Sequence, residues 1–138
     1  MPELMRAIAN RLREVVGNRR YDPRYPVRLA VAVSLLDARA RAHPASLEGH
    51  TRDVSIGGLG LILPAIRIGD RYLSGEGQIL RVMLKLPEVA IQLHGVGVRY
   101  ERIETGGQNA GYLIGVRIEG MSDTDRALFN EHLGILRK

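Results

Sequence analysis

Apolar residues recur at every second position in three separate stretches of this chain, and that alternation limits the fold more than any other feature. Val27, Leu29, Val31, Val33 and Leu35 alternate with Arg28, Ala30, Ala32 and Ser34. Leu80, Val82, Leu84 and Leu86 repeat the pattern up to Pro87, and Ile114, Val116 and Ile118 repeat it within Tyr112–Ile118. Successive side chains of an extended strand point to opposite faces, so this period makes strands with one buried face. Three more strands are expected: residues 46–54 pairing back on the first, Leu59–Leu63, and a long one from Ala90 to Tyr100. Residues 37–45 read as a loop. Gly69-Asp70, Ser74-Gly-Glu-Gly77 and Gly106-Gly-Gln-Asn109 read as turns. Gly95, Gly97 and Gly115 interrupt strands, as glycines do at bulges and barrel corners. About six short antiparallel strands predict a mainly β chain folded as a small barrel.

The period changes at both ends. Leu4, Ile8, Leu12 and Val15 line one face of an amphipathic helix over residues 3–16, stopped by Gly17. Its apolar stripe is narrow and lacks a Trp or Phe anchor, so docking or dimerisation fits it better than insertion into a membrane. Residues 18–26 contain Pro23 and Pro26, which break helix and remove backbone donors; they read as an arm leading into the first strand. Ser122-Asp-Thr-Asp125 has the form of a capping box with Asp at the fourth position. Leu128, Phe129, Leu133 and Leu136 then make the apolar face of a C-terminal helix that closes one end of the barrel. The expected division is an N-terminal helix, 1–17, and one barrel domain, 18–138.

Composition excludes several classes. There is no cysteine among the 138 residues, hence no disulfide framework, thiolate zinc site or cysteine nucleophile. No apolar run approaches the length of a membrane span, and no secretory signal is evident, so a cytoplasmic protein is expected. The four histidines have no metal-like spacing and are expected at surface or strand positions. No triad, metal set or phosphate loop appears, so an enzyme is not expected. The charge is informative: 18 of the 20 basic residues are Arg, and seven of these fall in residues 1–28. Arg presents a planar donor fork suited to phosphate and to guanine, and such a concentration points to an anionic partner.

Residues 50–60 carry the sharpest local signal. Asp53-x-Ser55-x-x-Gly58 places a carboxylate, a hydroxyl and a glycine within six positions. Asp53 can accept two parallel N–H bonds, Ser55 can donate and accept, and Gly57 and Gly58 can turn with φ > 0 and admit a flat ligand close to the main chain. A plain turn between strands would use the same residue types. Chance predicts only about 0.04 occurrences of Asp/Asn-x-Ser-x-x-Gly in such a composition. Arg-x-x-x-Arg is different: about two are expected by chance, and Arg20/Arg24, Arg24/Arg28 and Arg67/Arg71 all have that spacing.

Order and context join the two motifs: an Arg pair lies just before the first strand, and the Asp-Ser-Gly turn follows the second. Here the chain resembles the PilZ domain family, which binds the bacterial second messenger cyclic di-GMP. The family's signatures read Arg20-Tyr-Asp-Pro-Arg24 and Asp53-Val-Ser-Ile-Gly-Gly58. Tyr25-Pro26-Val27, Gly58-Leu-Gly-Leu61, Leu113-Ile-Gly-Val-Arg117 and Ser122-Asp-Thr-Asp-Arg126 also resemble it. The resemblance covers about residues 18–137 and implies a six-stranded antiparallel barrel with a C-terminal helix. It implies a ligand site of Arg19, Arg20, Arg24, Asp53, Ser55, Gly57 and Gly58. The Arg arm would wrap the ligand, and a basic residue at Arg19 goes with a stacked ligand pair, hence two nucleotides per domain. Arg28 is the alternative to Arg20 as second arginine. Tyr21 and Tyr25 either stack on a base or pack on the barrel. The function implied is a receptor that changes conformation to regulate an unknown partner. A PilZ-like adaptor that binds no nucleotide and a basic nucleic-acid-binding barrel are the alternatives; six aromatics offer no stacking platform for the latter, and no DNA partner is expected.

Overall fold

The structure is a computed structural model and describes residues 22–36, 42–105 and 109–137. The helix expected over residues 3–16, together with Arg19, Arg20 and Tyr21, lies outside them. The strands are β1 (Tyr25–Pro26), β2 (Ala30–Leu36), β3 (Ala42–Val54), β4 (Gly58–Leu63), β5 (Arg67–Ile68), β6 (Arg71–Tyr72), β7 (Leu80–Lys85), β8 (Ala90–Thr105) and β9 (Asn109–Met121), and the helix α1 is Asp123–Leu136. Six strands pair in the order β3-β2-β7-β8-β9-β4, and β3 pairs in turn with β4. Every pairing is antiparallel. The sheet therefore closes into a six-stranded barrel with no open edge around its waist. β1 lies outside it on β3, and β5 and β6 form a separate ribbon.

The alternating residues fill the barrel. Val31, Val33 and Leu35 of β2, Leu80, Val82 and Leu84 of β7, and Ile114 and Val116 of β9 are all buried. So are Leu59, Leu61 and Leu63 of β4 and Ile91 and Leu93 of β8. Burying such side chains contributes roughly 1.5–3 kcal/mol each before the entropy cost is met. α1 plugs the barrel with Phe129 and Leu133, while Leu128 and Leu136 pack partly against the same core.

Several expectations shift in detail. The first strand begins at Ala30 rather than Val27; before it Thr51 and Arg52 hold the chain with both main chain and side chain, Thr51 N donating to Leu29 O at 2.8 Å while the Thr51 hydroxyl accepts from Leu29 N at 2.9 Å and donates to Val27 O. Strand β3 starts at Ala42, inside the stretch read as a loop, and pairs Leu36 with Ala42 across a bulge. β8 and β9 run on past the barrel as a long hairpin to Thr105 and Asn109. The strand glycines behave as expected: register shifts fall at His94/Gly95 and at Gly97/Arg99. The capping box is half formed. Ser122 Oγ accepts from Asp125 N at 3.1 Å. The Asp125 carboxylate does not reach back; it accepts from Gln92 N at 3.0 Å, pinning α1 to β8.

His132 corrects the reading of the histidines as surface or strand residues: it lies on α1, is buried, and leaves Nε2 without a partner among the described residues. Burial lowers its pKa below the ordinary 6.5. Burial, and then the charge of Arg28, lower that of His50. The unfolded chain therefore takes up protons before the folded one does. Stability is fully present above about pH 6.5 and is lost as pH falls through the lowered folded values. We predict a lower melting temperature at about pH 5.5 than at about pH 7.5. His132→Leu should shrink that difference; an unchanged difference would show that His132 is not responsible.

Candidate functional site

A bulge at the end of β3 builds the site. Thr51 pairs with Leu61 and Asp53 pairs with Gly60, so Arg52 is an extra residue opposite no partner. Strict alternation would put Thr51 and Asp53 on one face. With Arg52 inserted, Thr51 stays inside, Asp53 turns to the outer surface, and Val54 returns to the core. Gly60, between the inward Leu59 and Leu61, is the floor beneath the carboxylate: a Cβ there would lie 2.7 Å from Asp53 Oδ1.

Two guanidiniums cover that carboxylate. β1 pairs Tyr25 with Val54 and Pro26 with Asp53, which holds the arm beside the site. Arg24 Nη1 donates to Asp53 Oδ1 at 2.9 Å. Arg52 Nε donates to Oδ2 at 2.9 Å, with Nη2 equally close. Asp53 is thereby only 7% exposed although it sits on the outer face. The cost of burying the charge is offset because it is shared between two cations.

The turn that follows is closed by one carbonyl. Ser55 N donates to Gly58 O at 2.9 Å and Ser55 Oγ donates to it at 3.2 Å. Gly57 O accepts from Ile118 N at 2.9 Å, and Ile56 O accepts from Arg126 Nη1 at 3.4 Å, so the turn touches both β9 and the region of α1. Neither Gly57 nor Gly58 has positive φ; Gly69 and Gly77 do among the described residues. The reason for glycine at 58 is space, since a Cβ would come within 2.9 Å of Val116 O.

These residues border an open cleft of about 940 Å³ on the outer face of β4, β9 and β8, at the large end of the roughly 300–1,000 Å³ usual for small-molecule sites. Arg24, Ser55, Gly57 and Gly58 line it; Asp53 does not, although its partners Arg24 and Arg52 and the Gly60 beneath it do. Arg19 and Arg20 lie outside the described residues. Arg28 does not line the cleft, and its charge acts instead on His50. Tyr25 packs partly against the core. Arg52, Arg99 and Tyr100 line the cleft and were missed. Alternation alone sends Arg52 away from Asp53, and only the bulge reverses that. Among the described residues no cluster of three or more His, Asp or Glu could hold a metal, and no helix is long and apolar enough to cross a membrane.

A family model described as the PilZ domain matches residues 18–134. Among solved structures, the PilZ domain of YcgR from Escherichia coli with c-di-GMP superposes with a TM-score of 0.63 at 13% identity, covering 86% of this chain and 92% of that one. The Bacillus subtilis inhibitor of motility MotI/DgrA gives 0.56 at 19% identity, with 83% and 48% covered. The K. pneumonia MrkH–c-di-GMP complex gives 0.60 at 19%, with 83% and 51% covered. This chain thus spans about half the length of the latter two. A search of curated proteins found no match.

The two glycines make separable predictions. Gly58→Ala meets a main-chain carbonyl that cannot give, so unfolding in urea should show a loss of about 1–3 kcal/mol. Gly60→Ala meets the far end of the Asp53 side chain, so its stability loss should be the smaller of the two. Equal losses would mean that the Asp53 carboxylate is held as rigidly as main chain.

Proposed function

The chain belongs to the PilZ domain family, and on that premise we propose that it is a receptor for cyclic di-GMP in a bacterial cytoplasm, acting by binding rather than catalysis. The observation that carries this reading is the Asp53 carboxylate, turned outward and held by Arg24 and Arg52, both of which line a large cleft. The likeness to the c-di-GMP-bound structures of YcgR and MrkH supports it.

The mechanism is an exchange of partners. A guanine presents N1–H and N2–H₂ side by side, a pair of donors that a carboxylate accepts together. In the proposed complex this edge takes over Asp53, while Arg52 stays on Oδ2. Arg24 is released to a phosphate, and Arg20 and Arg19 join it. Ser55 binds a guanine or a phosphate oxygen, and Gly57 and Gly58 let the ring approach the main chain. Ordering the arm costs conformational entropy that contacts to two phosphates offset. Arg19 supports a stacked pair of ligands. The arm then carries the change to an N-terminal helical segment, residues 1–17, distinct from the barrel of 18–138. That segment docks on a partner protein or on a second copy of the chain.

Isothermal titration of cyclic di-GMP into the purified protein tests this, with GTP and a short DNA as controls. The expected result is saturable binding of cyclic di-GMP alone, with the stoichiometry deciding between one ligand and two. Arg24→Ala and Asp53→Ala should each weaken binding by about thirtyfold or more, the usual penalty for truncating one side of a desolvated charge pair. A flat isotherm from folded protein would overturn the reading. The Arg24–Asp53 pair would then be a permanent structural one, as in an adaptor that binds protein only.

A further inference from the structure

The cleft has a second polar wall that neither motif contains. Asp53 on β3 pairs with Gly60 on β4, Gly60 pairs with Gly115 on β9, and Gly115 pairs with Arg99 on β8. Four adjacent strands thus carry one transverse row, acid–glycine–glycine–arginine, across the outer face of the barrel. Both end residues lean inward over the glycines. Asp53 covers Gly60, and a Cβ on Gly115 would meet Arg99 Cγ at 3.6 Å and Arg99 Nε at 3.9 Å. Arg99 therefore reclines on the sheet over Gly115. A second bulge sets this up, for Val98 is the unpaired residue between Gly97 and Arg99.

Arg99 also differs from the other cleft arginines in having no partner. Arg24 and Arg52 are held by Asp53, and Arg117 Nη2 is 2.9 Å from Glu119 Oε1. The Arg99 side chain makes no hydrogen bond or ion pair among the described residues, yet it lines the cleft. A guanidinium is flat and weakly hydrated, and it stacks on aromatic rings as an ammonium does not. Across a sheet, Asp53 and Arg99 stand three strand spacings apart, roughly 14 Å between main chains. Their side chains reach into that gap from both ends.

We propose that Arg99 is a ligand-contact residue: its guanidinium plane, laid down over Gly115, is the surface on which a purine stacks while Asp53 holds that purine's donor edge. This rests on the receptor reading above and adds how the base is gripped by its face as well as its edge. The chemical class that satisfies both ends is a guanine nucleotide, with the acid reading the edge and the cation sensing the ring.

The test is titration of cyclic di-GMP into the full chain carrying Arg99→Ala, Arg99→Lys or Arg99→Tyr, beside the wild type and Asp53→Ala. Arg99 is exposed, so these variants should keep the wild-type melting temperature. A stacked base is worth roughly tenfold or more in affinity. Arg99→Ala and Arg99→Lys should each lose about tenfold, and Arg99→Tyr, which restores a plane without charge, should recover most of it. Wild-type affinity in Arg99→Ala, with binding lost in Asp53→Ala, would overturn the stacking proposal and leave the receptor standing. Retention in Arg99→Lys with loss in Arg99→Tyr would make Arg99 a phosphate contact and equally overturn it. No binding by the wild type would remove the receptor reading itself, and this proposal with it.

Discussion

Everything here depends on the seam where β3 meets β4. That pairing closes the barrel, because without it the six strands would leave two open edges. The same seam contains the bulge at Arg52 and ends in the turn from Ser55 to Gly58. Closing the barrel and displaying Asp53 are therefore one event. The core residues Thr51, Val54, Leu59 and Leu61 hold the seam from inside, at 1% exposure or less. The carboxylate stands on its outside.

Placing a carboxylate there has an electrostatic consequence. Asp53 is nearly dry, and a buried charge is tolerated only when it is paired and hydrogen-bonded. The chain supplies two arginines from different elements. Arg52 stands in the sheet next to its partner, whereas Arg24 directly precedes the two-residue β1 that pairs with β3. A carboxylate held by two cations keeps one partner when the other is drawn away.

The glycines play two distinct physical roles. Gly69 and Gly77 turn the chain at φ of +64° and +79°. Gly60 and Gly115 instead keep the outer face low, so that side chains from neighbouring strands can lie across it, and Gly58 leaves room for the Val116 carbonyl. The turn from Ser55 to Gly58 is further tied to β9 through Ile118 and to α1 through Arg126. α1 itself is fastened to β8 by Asp125.

The sequence by itself determined the strands, the core and the chemistry of the motif turn. These are local properties: alternation in β2, β7 and β9, the helical period ending at Leu136, and the rarity of Asp-x-Ser-x-x-Gly. It also marked Gly95 and Gly97 as places where a strand would break register. Only the tertiary structure decided which way Asp53 faces, because one inserted residue reverses the alternation and nothing in the composition of residues 50–54 distinguishes a bulge from a regular strand. Only the tertiary structure brought Arg99 into line with Asp53, forty-six positions away in the chain, because the row between them runs across strands β3, β4, β9 and β8. Cross-strand register is set by how the barrel closes, and closure depends on all six strands at once.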